Sequence, residues 1–132
     1  STEGGTDVIE AATKLLGEAQ NLANGKVIVG EIPNVSDDHL RRAIDSLKKR
    51  ATTHGILLAS SIDGKVTFIA AVSDDLVNKG LKAGDWVKET AKAAGGSGGG
   101  RPQMAQAGGK DPSKIGEAIA TAKKFAAEKL AG

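Results

Sequence analysis

The sequence predicts an α/β fold in which one mixed β-sheet is flanked by helices, and three features carry that expectation. A compact β-branched run, Val27-Ile28-Val29, suits a strand covered on both faces. A helical segment opening at Ser36 leads from it to the apolar run Ile56 to Ile62, and this strand–helix–strand span has the length of a parallel crossover. Asp63-Gly64 then joins that run to Lys65 through Val72, and an Asp-Gly pair between two strand-like runs is a strong antiparallel hairpin signal. Parallel and antiparallel neighbours together make the sheet mixed.

Each element follows in order. Thr6 is expected to cap a helix from about Asp7 to Ala23, along which Val8, Ala12, Leu15, Ala19 and Leu22 recur at alternating spacings of four and three. That seam packs on the domain core or on a partner helix, being short for a coiled coil, and Asn24-Gly25 stops it. The strand Lys26 to Ile32 ends at Pro33-Asn34. The helix from Ser36 has Asp37 and Asp38 in its first turn and Lys48, Lys49 and Arg50 in its last, the order the helix dipole favours. Its apolar face is Leu40, Ala43, Ile44 and Leu47. Ser73-Asp74-Asp75 opens a short helix that ends by Gly80, and Gly84-Asp85 precedes an amphipathic stretch around Trp86, Val87 and Ala91. Gln103 to Ala107 reads as a short strand. Asp111-Pro112 starts a last helix with Ile115, Ile119, Ala122 and Ala126 inward, proline being favourable at the first helical position.

At 132 residues the chain has the size of one domain, and its 39% apolar and 26% charged residues suit a globular protein. The absence of cysteine excludes disulfides and thiolate zinc sites, leaving His39 and His54 as the imidazoles. The longest apolar run falls far short of the ~18 residues of a membrane span, and no basic-then-apolar segment opens the chain, so a cytoplasmic protein without membrane contact is expected. The net charge of +2 is unevenly spread. Residues 1–78 carry eight basic against eleven acidic residues, −3, and residues 79–132 carry ten against five, +5. A polyanion would favour the C-terminal half, although a mixed solvated surface gives the same count.

Residues 95–109, Gly-Gly-Ser-Gly-Gly-Gly-Arg-Pro-Gln-Met-Ala-Gln-Ala-Gly-Gly, hold seven of the eighteen glycines and one charge, Arg101. Glycine permits positive φ and close approach to the main chain, so the stretch is expected to be a loop aiming backbone amides at an anion such as phosphate. A flexible tether is the ordinary alternative for glycine and serine, but Arg101 to Ala107 is not linker composition. Neither G-x-x-x-x-G-K-[ST] nor G-x-G-x-x-G fits any register here, which counts against nucleoside triphosphate or dinucleotide binding. Lys110, Lys114, Arg101 and the first-turn amides of the last helix are candidates to share one anion; two solvated lysines are the alternative. Asp37-Asp38-His39 resembles the start of an Asp-His-His metal motif, but Leu40 follows and a capped helix start accounts for it. No nucleophile with an evident base is present, so no catalytic residue is assigned. Phe68, Trp86 and Phe125 all sit in apolar patterns, so any RNA binding would rest on shape and phosphate contacts in place of aromatic stacking.

The 95–109 stretch resembles the signature loop of the C-terminal domain of alanyl-tRNA synthetases, the DHHA1 class. Gly25-Lys26-Val27, Leu40-Arg41 with Asp45 and Leu47-Lys48, Leu58-Ala59-Ser60 to Asp63-Gly64-Lys65-Val66, and Leu81-Lys82-Ala83-Gly84-Asp85 fall in the same order, so the likeness covers about Asp7 to Leu130. Related DHHA1 domains of DHH phosphoesterases typically lead their glycines into a histidine, where Arg101 stands here. Gln103 departs from the synthetases, which commonly carry an acid at that place. The resemblance implies a DHHA1-like globular domain over 25–132, preceded by a tail and N-terminal connector helix over 1–24, with self-association through the 7–23 helix as an option. It implies a noncatalytic module that binds the elbow of alanine tRNA and helps couple aminoacylation with editing. ATP, Mg and Zn belong to other domains of a parent alanine–tRNA ligase, with no cofactor in this chain. The implied RNA contacts are Gly98, Gly99, Gly100, Arg101, Pro102, Gln103, Met104, Gln106, Gly108, Gly109, Lys110 and Lys114, with Arg41, Arg42, Lys82 and Lys92 as weaker candidates. The alternatives are the substrate-holding domain of a DHH-type phosphoesterase, or an oligomerisation and connector module.

Overall fold

The computed structural model describes residues 2–3 and 6–131. Its strands are β1 (Thr2–Glu3), β2 (Thr6–Asp7), β3 (Gln20–Leu22), β4 (Gly25–Glu31), β5 (His54–Ile62), β6 (Lys65–Val72), β7 (Ser97–Gly100) and β8 (Met104–Gly109). Its helices are α1 (Val8–Gly17), α2 (Asp37–Arg50), α3 (Asp74–Asn78), α4 (Ala83–Lys92) and α5 (Ile115–Leu130), the last entered through a 3-10 turn, Pro112–Lys114. β1 and β2 form a small antiparallel pair of their own. The other six strands make one sheet in the order β3-β4-β5-β6-β8-β7. Only β4 and β5 run parallel, through the α2 crossover, so the sheet is mixed as the sequence predicts.

Both faces of this sheet are covered, which is why Val27-Ile28-Val29 has no polar side. Val27, Val29, Leu57 and Phe68 pack toward Trp86 of α4 and Ala118 and Ala122 of α5. Ile28, Ile56, Leu58 and Ile69 pack toward Leu40, Ile44 and Leu47 of α2, with Val8 and Ala12 of α1 in the same cluster. Each fully buried Ile or Leu in these layers contributes about 1.5–3 kcal/mol relative to an exposed one. Trp86 satisfies its indole N–H by donating to the Ala122 carbonyl at 2.9 Å, fastening α4 to α5. Ser36 caps α2, its Oγ accepting from the His39 amide at 3.3 Å and lying 2.9 Å from the His39 Nδ1. His39 is thereby part of a helix start. The buried His54 donates from Nδ1 to the Ala51 carbonyl at 2.8 Å.

The first helix differs from its expectation. Asp7, not Thr6, is the cap, its carboxylate accepting from the amides of Ile9 and Glu10. The helix stops at Gly17, and Gln20–Leu22 becomes an edge strand pairing antiparallel with Gly25–Val27. Ala23 and Asn24, at φ 52° and 64°, form the two-residue turn, so Asn24-Gly25 serves a hairpin where the sequence suggested a helix stop. Residue 24 thus lies in the turn between β3 and β4. α1 itself rests on the sheet, with Leu15 pressed so closely on Gly30 that a Cβ there would lie 2.4 Å from Leu15 Cδ2. Val8, Ala12 and Leu15 of the seam pack on the domain's own core.

Candidate nucleic-acid interface

Residues 95–109 are a β-hairpin at the sheet edge, in which the strand expected over Gln103 to Ala107 is β8 and the glycines expected as a loop form β7. β7 pairs only with β8, Ser97 opposite Gly108 through Gly100 opposite Ala105, and Pro102-Gln103 make the turn. Proline suits that position because its φ is preset for a turn. Arg101 N–H closes the turn by donating to Met104 O at 2.9 Å. The three carbonyls of the turn are held from outside. Gly84 N–H donates to Arg101 O at 3.2 Å, Ala83 N–H to Pro102 O at 2.8 Å and Val72 N–H to Gln103 O at 3.0 Å. The first amides of α4 are thus spent on the turn. Gly95 and Gly96 N–H donate to Lys92 O and Ala91 O at the end of the same helix. The hairpin and α4 thus consume the donors at residues 95, 96 and 101.

What the glycines provide is closeness. A Cβ at Gly98 would lie 2.3 Å from the Ala107 Cα, one at Gly96 1.7 Å from the Gly108 carbonyl oxygen, and one at Gly84 2.6 Å from the Gly100 oxygen. Gly99 differs. Its Cβ position has nothing within 4 Å, so no internal contact demands glycine there. Gly98, Gly99, Gly100, Arg101, Pro102, Gln103, Gln106 and Gly108 are exposed, Met104 and Gly109 half-buried.

Two grooves border this hairpin. One, of about 280 Å3, has Ile69, Ala105, Gly99 and Gly100 beneath and Arg41, Arg101, Met104 and Gln106 around it. The other, of about 420 Å3, lies at the opposite end, with Ser97, Thr67, Lys65 and Lys110. β8 separates the ends by six residues at about 3.4 Å each, so Arg101 and Lys110 do not converge on one anion. Two of the first-turn amides preceding α5 are likewise occupied, Ser113 N–H donating to Asp111 Oδ1 and Lys114 N–H to Asp111 O, each at 3.0 Å. Lys114 Nζ lies 4.0 Å from Glu117, and Lys92 Nζ is 3.4 Å from Glu89. Lys82 is exposed beside the turn, at the cap of α4, and Arg42 is exposed on α2. Gln103, at the place where the resemblance leads one to expect an acid, donates from Nε2 to Asp74 Oδ1 at 3.3 Å. An acid there would face a like charge in this chain.

The sequence placed Lys65 in the hairpin without marking it as a candidate contact, and marked Arg41 as a weaker one. Lys65 stands in the hairpin after Asp63-Gly64, where a lysine is ordinary. Arg41 and Gln106 meet across 65 residues, a pairing no local pattern signals.

Residues 24–128 match the DHHA1 domain, and the chain belongs to that family. Within the family its likeness is to the domain found in alanine–tRNA ligases. It is 46% identical over 121 residues to the alanine–tRNA ligase of Rhodopirellula baltica, which is 91% of this chain and 13% of that protein. The C-Ala domain of Aquifex aeolicus alanyl-tRNA synthetase matches with a TM-score of 0.71 at 32% identity, covering 86% of this chain and 98% of the solved one. The DHH domain of a member of the s1p family of ribosomal proteins shares the fold alone, with a TM-score of 0.57 at 17% identity over 88% of this chain and 29% of that one. This chain spans about one eighth of the length of the curated relatives it matches. Among the described residues no helix is long and apolar enough to cross a membrane.

Proposed function

We propose that this chain is the noncatalytic tRNA-binding C-terminal domain of an alanine–tRNA ligase, recognising the elbow of alanine tRNA and helping couple aminoacylation with editing. The observation that carries this is the exposed β7–β8 edge: a strand without side chains beyond Ser97, with cationic groups at each end. A bare backbone admits a broad, stiff surface such as a base pair or sugar-phosphate strand, while arginine and lysine at its ends neutralise phosphates and set register. The likeness to the Aquifex aeolicus C-Ala domain supports the same function. The parent chain would work in the cytoplasm and supply the other domains, including those for ATP, Mg and Zn.

The test is a titration of this chain with alanine tRNA, with an alanine tRNA whose elbow is disrupted, and with a short single-stranded oligonucleotide, each at two salt concentrations. Tightest binding to intact alanine tRNA is expected. Equal binding to all three would leave nonspecific charge, and preference for the oligonucleotide would favour a substrate-holding domain of a DHH-type phosphoesterase.

A further inference from the structure

Arg41 leaves α2 and reaches across to the sheet, where its Nη2 donates to Gln106 Oε1. Gln106 donates in turn from Nε2 to Asp37 Oδ2 at 3.0 Å. Both ends of the amide are therefore used, and its orientation follows from the two partners: the oxygen must face the guanidinium and the nitrogen the carboxylate. A glutamine on an exposed strand would otherwise sample many rotamers. Here it bridges α2 to β8 and sets the arginine at the rim of the 280 Å3 groove beside β7.

The guanidinium stays half in solvent, with 48% of its side chain exposed. Its ion-pair partner is Asp38 at 3.4 Å, and that carboxylate is 93% exposed, so the pair is strongly screened and weak. A guanidinium carries five donors, and two hydrogen bonds leave donors for a further acceptor. Asp37 is the other nearby acid, and it accepts from the neutral amide of Gln106. The groove floor is open as well, since nothing lies within 4 Å of the absent Cβ of Gly99. A cation held at the rim of a groove whose β7 side is bare backbone is matched by a phosphodiester, which arginine binds in bidentate fashion.

We propose that Arg41 is a phosphate contact of the RNA interface and that Gln106 is the residue that positions it. This rests on tRNA binding as proposed above and adds α2 to an interface otherwise built on the hairpin and the cations at its ends. The loss caused by changing Gln106 then runs through Arg41.

The experiment measures binding of labelled alanine tRNA to the unaltered chain, Arg41→Ala, Gln106→Ala and the double variant over a range of salt, with thermal melts of each. Arg41→Ala is expected to weaken binding on the order of tenfold and to flatten the slope of log K against log salt by about 0.7–0.9, the share of one phosphate. Gln106→Ala should weaken binding less and cause no further loss when Arg41 is already alanine. Melting midpoints should stay unchanged, which separates the contact from a structural role. Unaltered affinity and slope in Arg41→Ala, with the unaltered chain still binding tRNA, overturn the Arg41 contact and leave the proposed function standing. Additive losses overturn the positioning role of Gln106. Absence of tRNA binding by the unaltered chain removes both.

Discussion

Gly98 and Gly99 are neighbours with opposite reasons for being glycine. A methyl at 98 drives into the Ala107 backbone, whereas a methyl at 99 meets empty space on an extended strand. Gly98→Ala should therefore destabilise the domain by about 1–3 kcal/mol, the usual cost of overpacking, and Gly99→Ala should leave stability within about 0.5 kcal/mol while weakening tRNA binding. Urea unfolding and tRNA titration of the two variants check both halves. Asp75 gives a pH signature at the same scale. Hydrogen bonds from Ser73 and then Thr53 hold its carboxyl below the usual value of 3.8. The ionised form is thus favoured in the folded state, so its contribution is fully present above the ordinary carboxylate range and is lost as pH falls through the lowered value. The stability gap between the unaltered chain and Asp75→Asn should be constant from neutral pH to about 4 and close below it, as read by urea midpoints. Sequence alone marked Asp75 as an ordinary first-turn acid; Thr53, 22 residues away, is what sets it apart.

At the level of elements, the local signals with the right period were reliable. Ser36, the acid-first and base-last order of α2, and Asp63-Gly64 each name an element whose stabilising contacts lie within a few residues. The 7–23 segment shows where such signals fail. Its apolar spacing is helical throughout, yet Gln20 to Leu22 gain more by completing the open edge of β4 than by extending α1, because an unpaired strand edge leaves a row of backbone groups unsatisfied. The hairpin so formed holds Ala23 at φ 52°, a left-handed position awkward for any residue with a side chain. Ala23→Gly is expected to raise stability by roughly 0.5–1 kcal/mol, and an unchanged or lower urea midpoint would contradict that turn. The 95–109 stretch misleads differently. Its glycines announce close approach, but only the partner strand reveals that the approach is by Ala105, Ala107 and Gly108 from within the domain.

Across the whole molecule the proposed interface is elongated, with Arg41 and Arg101 near one end of the hairpin and Lys65 and Lys110 near the other. Cations that far apart would engage separate phosphates. Arg101→Ala and Lys110→Ala should each flatten the salt slope by about 0.7–0.9, and their binding losses should add within about 0.3–0.5 kcal/mol. A double variant no weaker than either single one would instead place both on one anion. The mixed sheet, its covered central strands, the 63–64 hairpin and the family were all determined by the sequence by itself, because each rests on periodicity, turn chemistry or a contiguous motif. Only the tertiary structure decided that the glycine stretch is an edge strand whose inner donors are spent, that residues 20–22 join the sheet, and that Arg41 stands over Gln106. Those outcomes depend on groups tens of residues apart competing for the same backbone donors and open edges, and that competition is resolved only when the sheet closes around them.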